Sequence, residues 1–175
     1  MPYKGLIMAI LISPMIVPLI ITAAGMFFFY ARINLVYTFT GVILAHVALA
    51  TPFVVITVTA TLVGFDMNMV KAAQSLGAKP MRTFFKVIMP LILPGIISGA
   101  LFAFITSFDE VVIVMFMASI DQLTIPKQMW AGIRQEISPV ILCMATCLVL
   151  LSIFLLTTVE LLRRRSEKLR GIKAR

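Results

Sequence analysis

The chain has 175 residues, a length that suits one domain, but its 61% hydrophobic content and mean hydropathy of +1.09 exclude an ordinary soluble one. Its net charge of +8 does not point to nucleic acid, because the basic residues lie between and after apolar blocks rather than along a soluble face. Its two cysteines, Cys143 and Cys147, fall within an apolar block, so no disulfide framework is implied.

The first apolar block, Gly5 to Ala31, is uncharged and long enough to cross a hydrocarbon core of about 30 Å. Pro14, Pro18 and Gly25 predict bends, tolerable where neighbouring helices cover the freed backbone groups. The block is too long for a signal peptide, carries prolines, and is not closed by a small-x-small cleavage site. After a short polar turn at Arg32-Ile33-Asn34, a second span is expected within residues 35–65, with His46, Pro52 and several threonines. It is longer than a span needs, which predicts tilt or an interfacial entry.

Asp66 to Gly95 contains the only long polar insertion between apolar blocks, with basic residues at Lys71, Lys79, Arg82 and Lys86. Met67, Val70, Ala73 and Leu76 recur at helical spacing and predict a short amphipathic helix. Gly77 follows as a stop free of a Cβ penalty, and Pro80 can start the next helix. A third span is expected over about 87–118, then a mixed polar segment from Ser119 to Glu136, then a fourth span over about 137–162 and a basic tail, 163–175. There is no internal repeat and no low-complexity linker.

Twelve of the fifteen basic residues fall on the side that holds the N-terminus, the 66–90 loop and the tail. The positive-inside rule therefore puts both termini and that loop in the cytoplasm.

Ala72-Ala73, Gly77-Ala78, Phe85, Val87, Pro90 and Pro94-Gly95 resemble the "EAA" loop of permease subunits of ATP-binding-cassette importers, with Lys71 where that loop usually has glutamate. Pro52-Phe53-Val54-Val55, Gly64-Phe65-Asp66, Ser107-Phe108-Asp109-Glu110 and Ile137-Ser138-Pro139 are similar to the spermidine/putrescine branch. The resemblance covers roughly residues 5–165. It implies an all-α transmembrane (MetI-like) fold of which this chain has room for about four spans; the family core usually has six, and the order of motifs makes the two N-terminal ones the missing pair. It further implies a bacterial inner-membrane protein that pairs with a second permease subunit, two copies of an ATPase subunit and an extracytoplasmic solute-binding protein. Val70, Lys71, Ala72, Ala73, Leu76, Gly77 and Ala78 are then the expected ATPase-docking element, coupling hydrolysis elsewhere to solute movement here. No GxxxxGK[ST] is present, so the chain itself is not expected to hydrolyse ATP, and no cofactor or metal is expected.

Asp109 and Glu110 lie about eighteen residues after Leu91, roughly 27 Å along a helix, which places them near the outer end of the third span. Gly95, Ser98, Gly99, Phe102, Ala103 and Thr106 precede them at three- and four-residue steps, giving a mainly small and polar face suited to a helix interface or a water-lined cavity. With Thr106, the carboxylates are candidates for lining a passage that attracts a cationic solute; the alternative is an interfacial acidic pair or a helix–helix hydrogen bond. His46 reads first as a packed, hydrogen-bonded residue and second as a pathway residue. Cys143 and Cys147 share a helix face and read as packing residues. Two other functions stay open: a secondary transporter or channel using Asp109, Glu110 and His46 as an ion relay, and a fragment that inserts but does not transport.

Overall fold

The computed structural model describes residues 3–135 and 138–169. Among these, every regular element is helical: α1 (Lys4–Ile16), α2 (Leu19–Arg32), α3 (Phe39–Val63), α4 (Met67–Ser75), α5 (Pro80–Thr83), a π-turn (Phe84–Ile88), α6 (Met89–Phe108), α7 (Val112–Met117), α8 (Ile125–Gln135) and α9 (Pro139–Leu169). Three stretches, Phe39–Val63, Pro80–Phe108 and Pro139–Thr158, are each long and apolar enough to cross a membrane, and the bent pair α1–α2 makes up to four. Ile137, at the expected start of the fourth span, and residues 170–175 of the basic tail lie outside the described residues.

The first expected span is not one helix. α1 and α2 meet at 110°. Pro18 has no N–H to continue the ladder, and its ring forces the preceding Val17 to extended backbone (φ −74°, ψ 136°). With 13 and 14 residues, each half rises only about 20 Å, short of a full crossing.

The main helix pair is antiparallel α3 and α6, and glycine sets its closeness. A Cβ at Gly95 would overlap the Thr61 hydroxyl, and one at Gly99 would overlap the Thr57 hydroxyl and lie 3.0 Å from Val54 Cα. The small face read from the sequence is thus a helix interface along this stretch, the arrangement small residues at four-residue steps permit. The threonine hydroxyls satisfy themselves on their own helix: Thr57 donates to Phe53 O at 2.8 Å and Thr61 to Thr57 O at 2.9 Å. Nearer the other end, His46 Nδ1 and Ser107 Oγ are hydrogen-bonded at 2.8 Å across the same interface.

The third span stops short of the expected 118, while the helix that leads into it starts at Pro80 as expected. Helix begins at Pro80 and passes through the π-turn. Pro90 explains that turn: a proline ring clashes with the carbonyl four residues back, and widening the helix at Phe84–Ile88 moves that carbonyl aside, with Met89 N–H bonding instead to Phe84 O. At the other end α6 stops at Phe108, and α7 is a separate short helix. Ile113 and Met117 of α7 join Ala23 of α2 and Ala45 and Leu49 of α3 in the buried core. The loop between α2 and α3 closes that end, with Tyr37 N–H donating to Met117 O at 2.9 Å and Gln122 Nε2 to Tyr37 O at 3.2 Å. No residue in the membrane-length part of α9, Pro139–Thr158, is buried.

Candidate functional site

Two places combine exposed polar groups with unusual backbone. The first is the α4 turn. Asp66 starts α4 by accepting from Asn68 N–H at 2.9 Å, the side-chain cap an N-terminus needs. The other end is a Schellman motif. Gly77 N–H donates to Gln74 O at 2.9 Å, Ala78 N–H donates to Ala73 O at 3.0 Å, and Gly77 sits at φ +78°. The left-handed position that the sequence assigns to glycine is therefore occupied by it.

α4 packs against α5 and the π-turn. Val70, Ala73 and Ala78 are half-buried there, whereas Lys71, Ala72, Leu76 and Gly77 are exposed. The apolar set grouped by periodicity is thus divided: Val70 and Ala73 turn inward, while Met67 and Leu76, the latter 88% exposed, turn outward. Met69, Met81, Phe84 and Phe85 are also exposed. This gives an apolar surface interspersed with exposed Lys71, Lys79, Arg82 and Lys86. Exposed apolar side chains of this kind mark surfaces that meet a partner or a membrane.

The second place is the break between α6 and α7, where Thr106, Asp109 and Glu110 come together. It directly follows the end of α6, as expected from the sequence, although α3 extends further. Ser107 is level with His46, which is seven residues and about 10 Å along α3 from its Phe39 end. α3 thus runs on past the break, and α7 packs beside α2 and α3 there. Apolar sequence runs on through residues 111–118, so only the Asp-Glu step inside it marks the interruption.

The two carboxylates have different surroundings. Glu110 is 6% exposed. Its Oε1 accepts from Ile113 N–H at 2.8 Å and its Oε2 from Val114 N–H at 3.1 Å, so both oxygens serve the first turn of α7. Bonds to a charged acceptor contribute about 1.5–3 kcal/mol each, and the positive end of the helix dipole adds to them. Asp109 is exposed. It borders an open cleft of about 670 Å³ that also includes Thr106, Glu110, Leu49, Phe53 and the Pro14–Leu19 bend between α1 and α2. It also borders a second cleft, of about 500 Å³ and mainly apolar, between α6, α8 and α9. Two broken helices thus meet at one cleft, with a carboxylate on its wall. Irregular backbone at membrane depth is tolerated where it lines a cavity.

His46 has its Nδ1 on Ser107 and its Nε2 buried without a partner. The pairing with Ser107 is not legible in sequence, because the residues are 61 positions apart. Cys143 and Cys147 are exposed free thiols on α9. Among the described residues no group of three or more His, Cys, Asp and Glu side chains is placed to hold a metal ion.

Residues 2–168 match the family model described as binding-protein-dependent transport system inner membrane component. The chain is 29% identical over 164 residues to the spermidine/putrescine transport system permease protein PotC of Haemophilus influenzae, covering 94% of this chain and 62% of that protein. It is 28% identical over 165 residues to PotC of Escherichia coli, covering 94% and 61%. It is 37% identical over 103 residues to the putrescine transport system permease protein PotI of Escherichia coli, covering 59% and 37%. The chain therefore spans somewhat over three-fifths of the length of the PotC relatives it matches. The helix-only architecture, the membrane-length apolar helices, the α4 turn and the match over nearly the whole chain lead to one conclusion: this chain belongs to the family of binding-protein-dependent transport system inner membrane components, the permeases of ATP-binding-cassette importers.

Proposed function

We propose that the chain forms part of the membrane passage of an importer for a small cationic solute of the polyamine class. The observation that carries this reading is Asp109, an exposed carboxylate on the wall of the cleft where the α6–α7 break meets the α1–α2 bend. A carboxylate on the wall of a cleft attracts a cation and raises its local concentration there. The relatives that bear polyamine names agree in solute class.

The α4 surface is the proposed coupling element. Lys71, Ala72 and Leu76 face outward, Val70, Ala73 and Ala78 seat the helix on its own chain, and Gly77 reverses the backbone into α5. An ATPase subunit, present in two copies, receives this helix in a cleft. Closing of the ATPase dimer moves it as a lever, and the spans rock to expose the passage on alternate sides. A second permease subunit and an extracytoplasmic binding protein complete the assembly. Both termini and α4 face the cytoplasm, as the distribution of basic residues favours.

The test is uptake of radiolabelled spermidine by the full complex in vesicles, with and without ATP. Asp109→Asn keeps the shape and removes the charge. KM should rise several-fold while membrane insertion persists, and the rise should shrink at high salt, where exposed charges are screened. ATP-independent uptake driven by an ion gradient would replace the importer reading with a secondary transporter. An unchanged KM at low salt would remove Asp109 from the passage.

A further inference from the structure

We infer that Glu110 is a positioning residue that holds α6 and α7 apart, and that Asp109 is the carboxylate this pair presents to solute. The inference rests on reading the α6–α7 break as part of the passage. In an uninterrupted α-helix through this region, Ile113 N–H would bond to the carbonyl of Asp109, and Val114 N–H to that of Glu110. In the structure both N–H groups bond instead to the side chain of Glu110, at 2.8 Å to Oε1 and 3.1 Å to Oε2. The side chain thus takes the place of two backbone carbonyls. Away from water those N–H groups must have an acceptor, so the carboxylate removes the main driving force for α6 and α7 to join.

The same geometry separates the roles of two adjacent acids. Glu110 is buried with both oxygens engaged, and Asp109 is exposed at the cleft. α6 ends beside them, with Asp109 N–H still bonded to Ile105 O at 3.1 Å. α7 is anchored independently, because Ile113 and Met117 are in the core with Ala23, Ala45 and Leu49. The short link joins α6 and α7, and Glu110 decides whether its backbone stays open or winds into the adjoining helix. Without its carboxylate, the N–H groups of α7 can be satisfied by the carbonyls of residues 109 and 110, which draws the link into the helix and takes Asp109 from its present place on the cleft wall.

The experiment reads position 109 directly. In open membranes holding the full chain with Cys143→Ala and Cys147→Ala, a single thiol is placed by Asp109→Cys, or by Leu76→Cys as a distant control. Each is labelled with a cationic, membrane-impermeant methanethiosulfonate. With Glu110 present, position 109 labels readily. Glu110→Ala slows labelling at 109 by about tenfold, the shift expected when hydrogen bonds to a charged acceptor decide between the two arrangements of the link; Glu110→Asp, which keeps the charge, restores part of the rate; position 76 is unaffected throughout. Equal rates at 109 in all three backgrounds overturn the inference. A parallel loss at 76 also overturns it, since that marks a general structural role. In the uptake assay, Glu110→Ala raises KM as Asp109→Asn does and adds no further rise when the two are combined, whereas a further rise in the double variant makes Glu110 a solute ligand in its own right and overturns the division of roles. If Asp109→Asn leaves uptake unchanged, the passage reading fails by itself, and the labelling still decides what Glu110 does.

Discussion

Replacing Gly77 isolates the backbone at the end of α4. Gly77 has φ +78°, and a Cβ built there meets no atom within 4 Å. A side chain therefore has room, and within this chain the penalty comes from conformation. An alanine held in the left-handed region costs about 1–2 kcal/mol, and a valine reaches the upper part of the roughly 1–3 kcal/mol range for strained positions. The alternative is escape to negative φ. That breaks the bonds from Gly77 to Gln74 and from Ala78 to Ala73, at 2.9 and 3.0 Å, and redirects α5. Each bond contributes about 0.5–1.5 kcal/mol, less where water can replace it, so the two routes are similar in size. One to two kcal/mol lowers the population of the native turn about 5–30-fold relative to its alternatives. Asparagine tolerates the left-handed region and should retain much of the function. The assay is co-purification of the ATPase together with solute moved per ATP hydrolysed, for the parent, Gly77→Asn, Gly77→Ala and Gly77→Val, at matched insertion. Coupling should fall in that order. Normal coupling in Gly77→Val, or equal damage from asparagine and valine, would refute the argument that this turn's backbone carries the coupling.

Two further outcomes follow from the packing and the charge distribution. Gly99→Val should destabilise the α3–α6 pair by about 1–3 kcal/mol, the usual range for overpacking, because its Cβ would overlap Thr57 and approach the Val54 backbone to 3.0 Å; Gly25→Ala, with nothing within 4 Å, should have little effect on thermal stability in detergent, and equal losses would contradict the interface. Reporter fusions after Leu76 and near Gln128 should report opposite sides of the membrane, with Leu76 cytoplasmic; the same side for both would overturn the orientation drawn from the basic residues.

Short-range chemistry was readable without coordinates. Gly77 as a helix stop and Pro80 as a helix start depend on a few neighbouring residues, and the structure has each in that role. Apolar length alone marks the membrane helices, because a hydrocarbon core demands a minimum rise and tolerates few charges. The tertiary structure decided what composition leaves degenerate. Residues 5–31 satisfy the length rule whether straight or broken, and Pro18 turned them through 110°. The run from Met89 to Ala118 is apolar apart from a few polar positions, and its interruption depends on Glu110 finding the α7 amides while Ile113 and Met117 find α2 and α3. Asp109 and Glu110 are adjacent acids in the sequence. Only packing made one a buried acceptor and left the other on the cleft wall, because burial and hydrogen-bond partners belong to the neighbours that folding brings and not to the residue type.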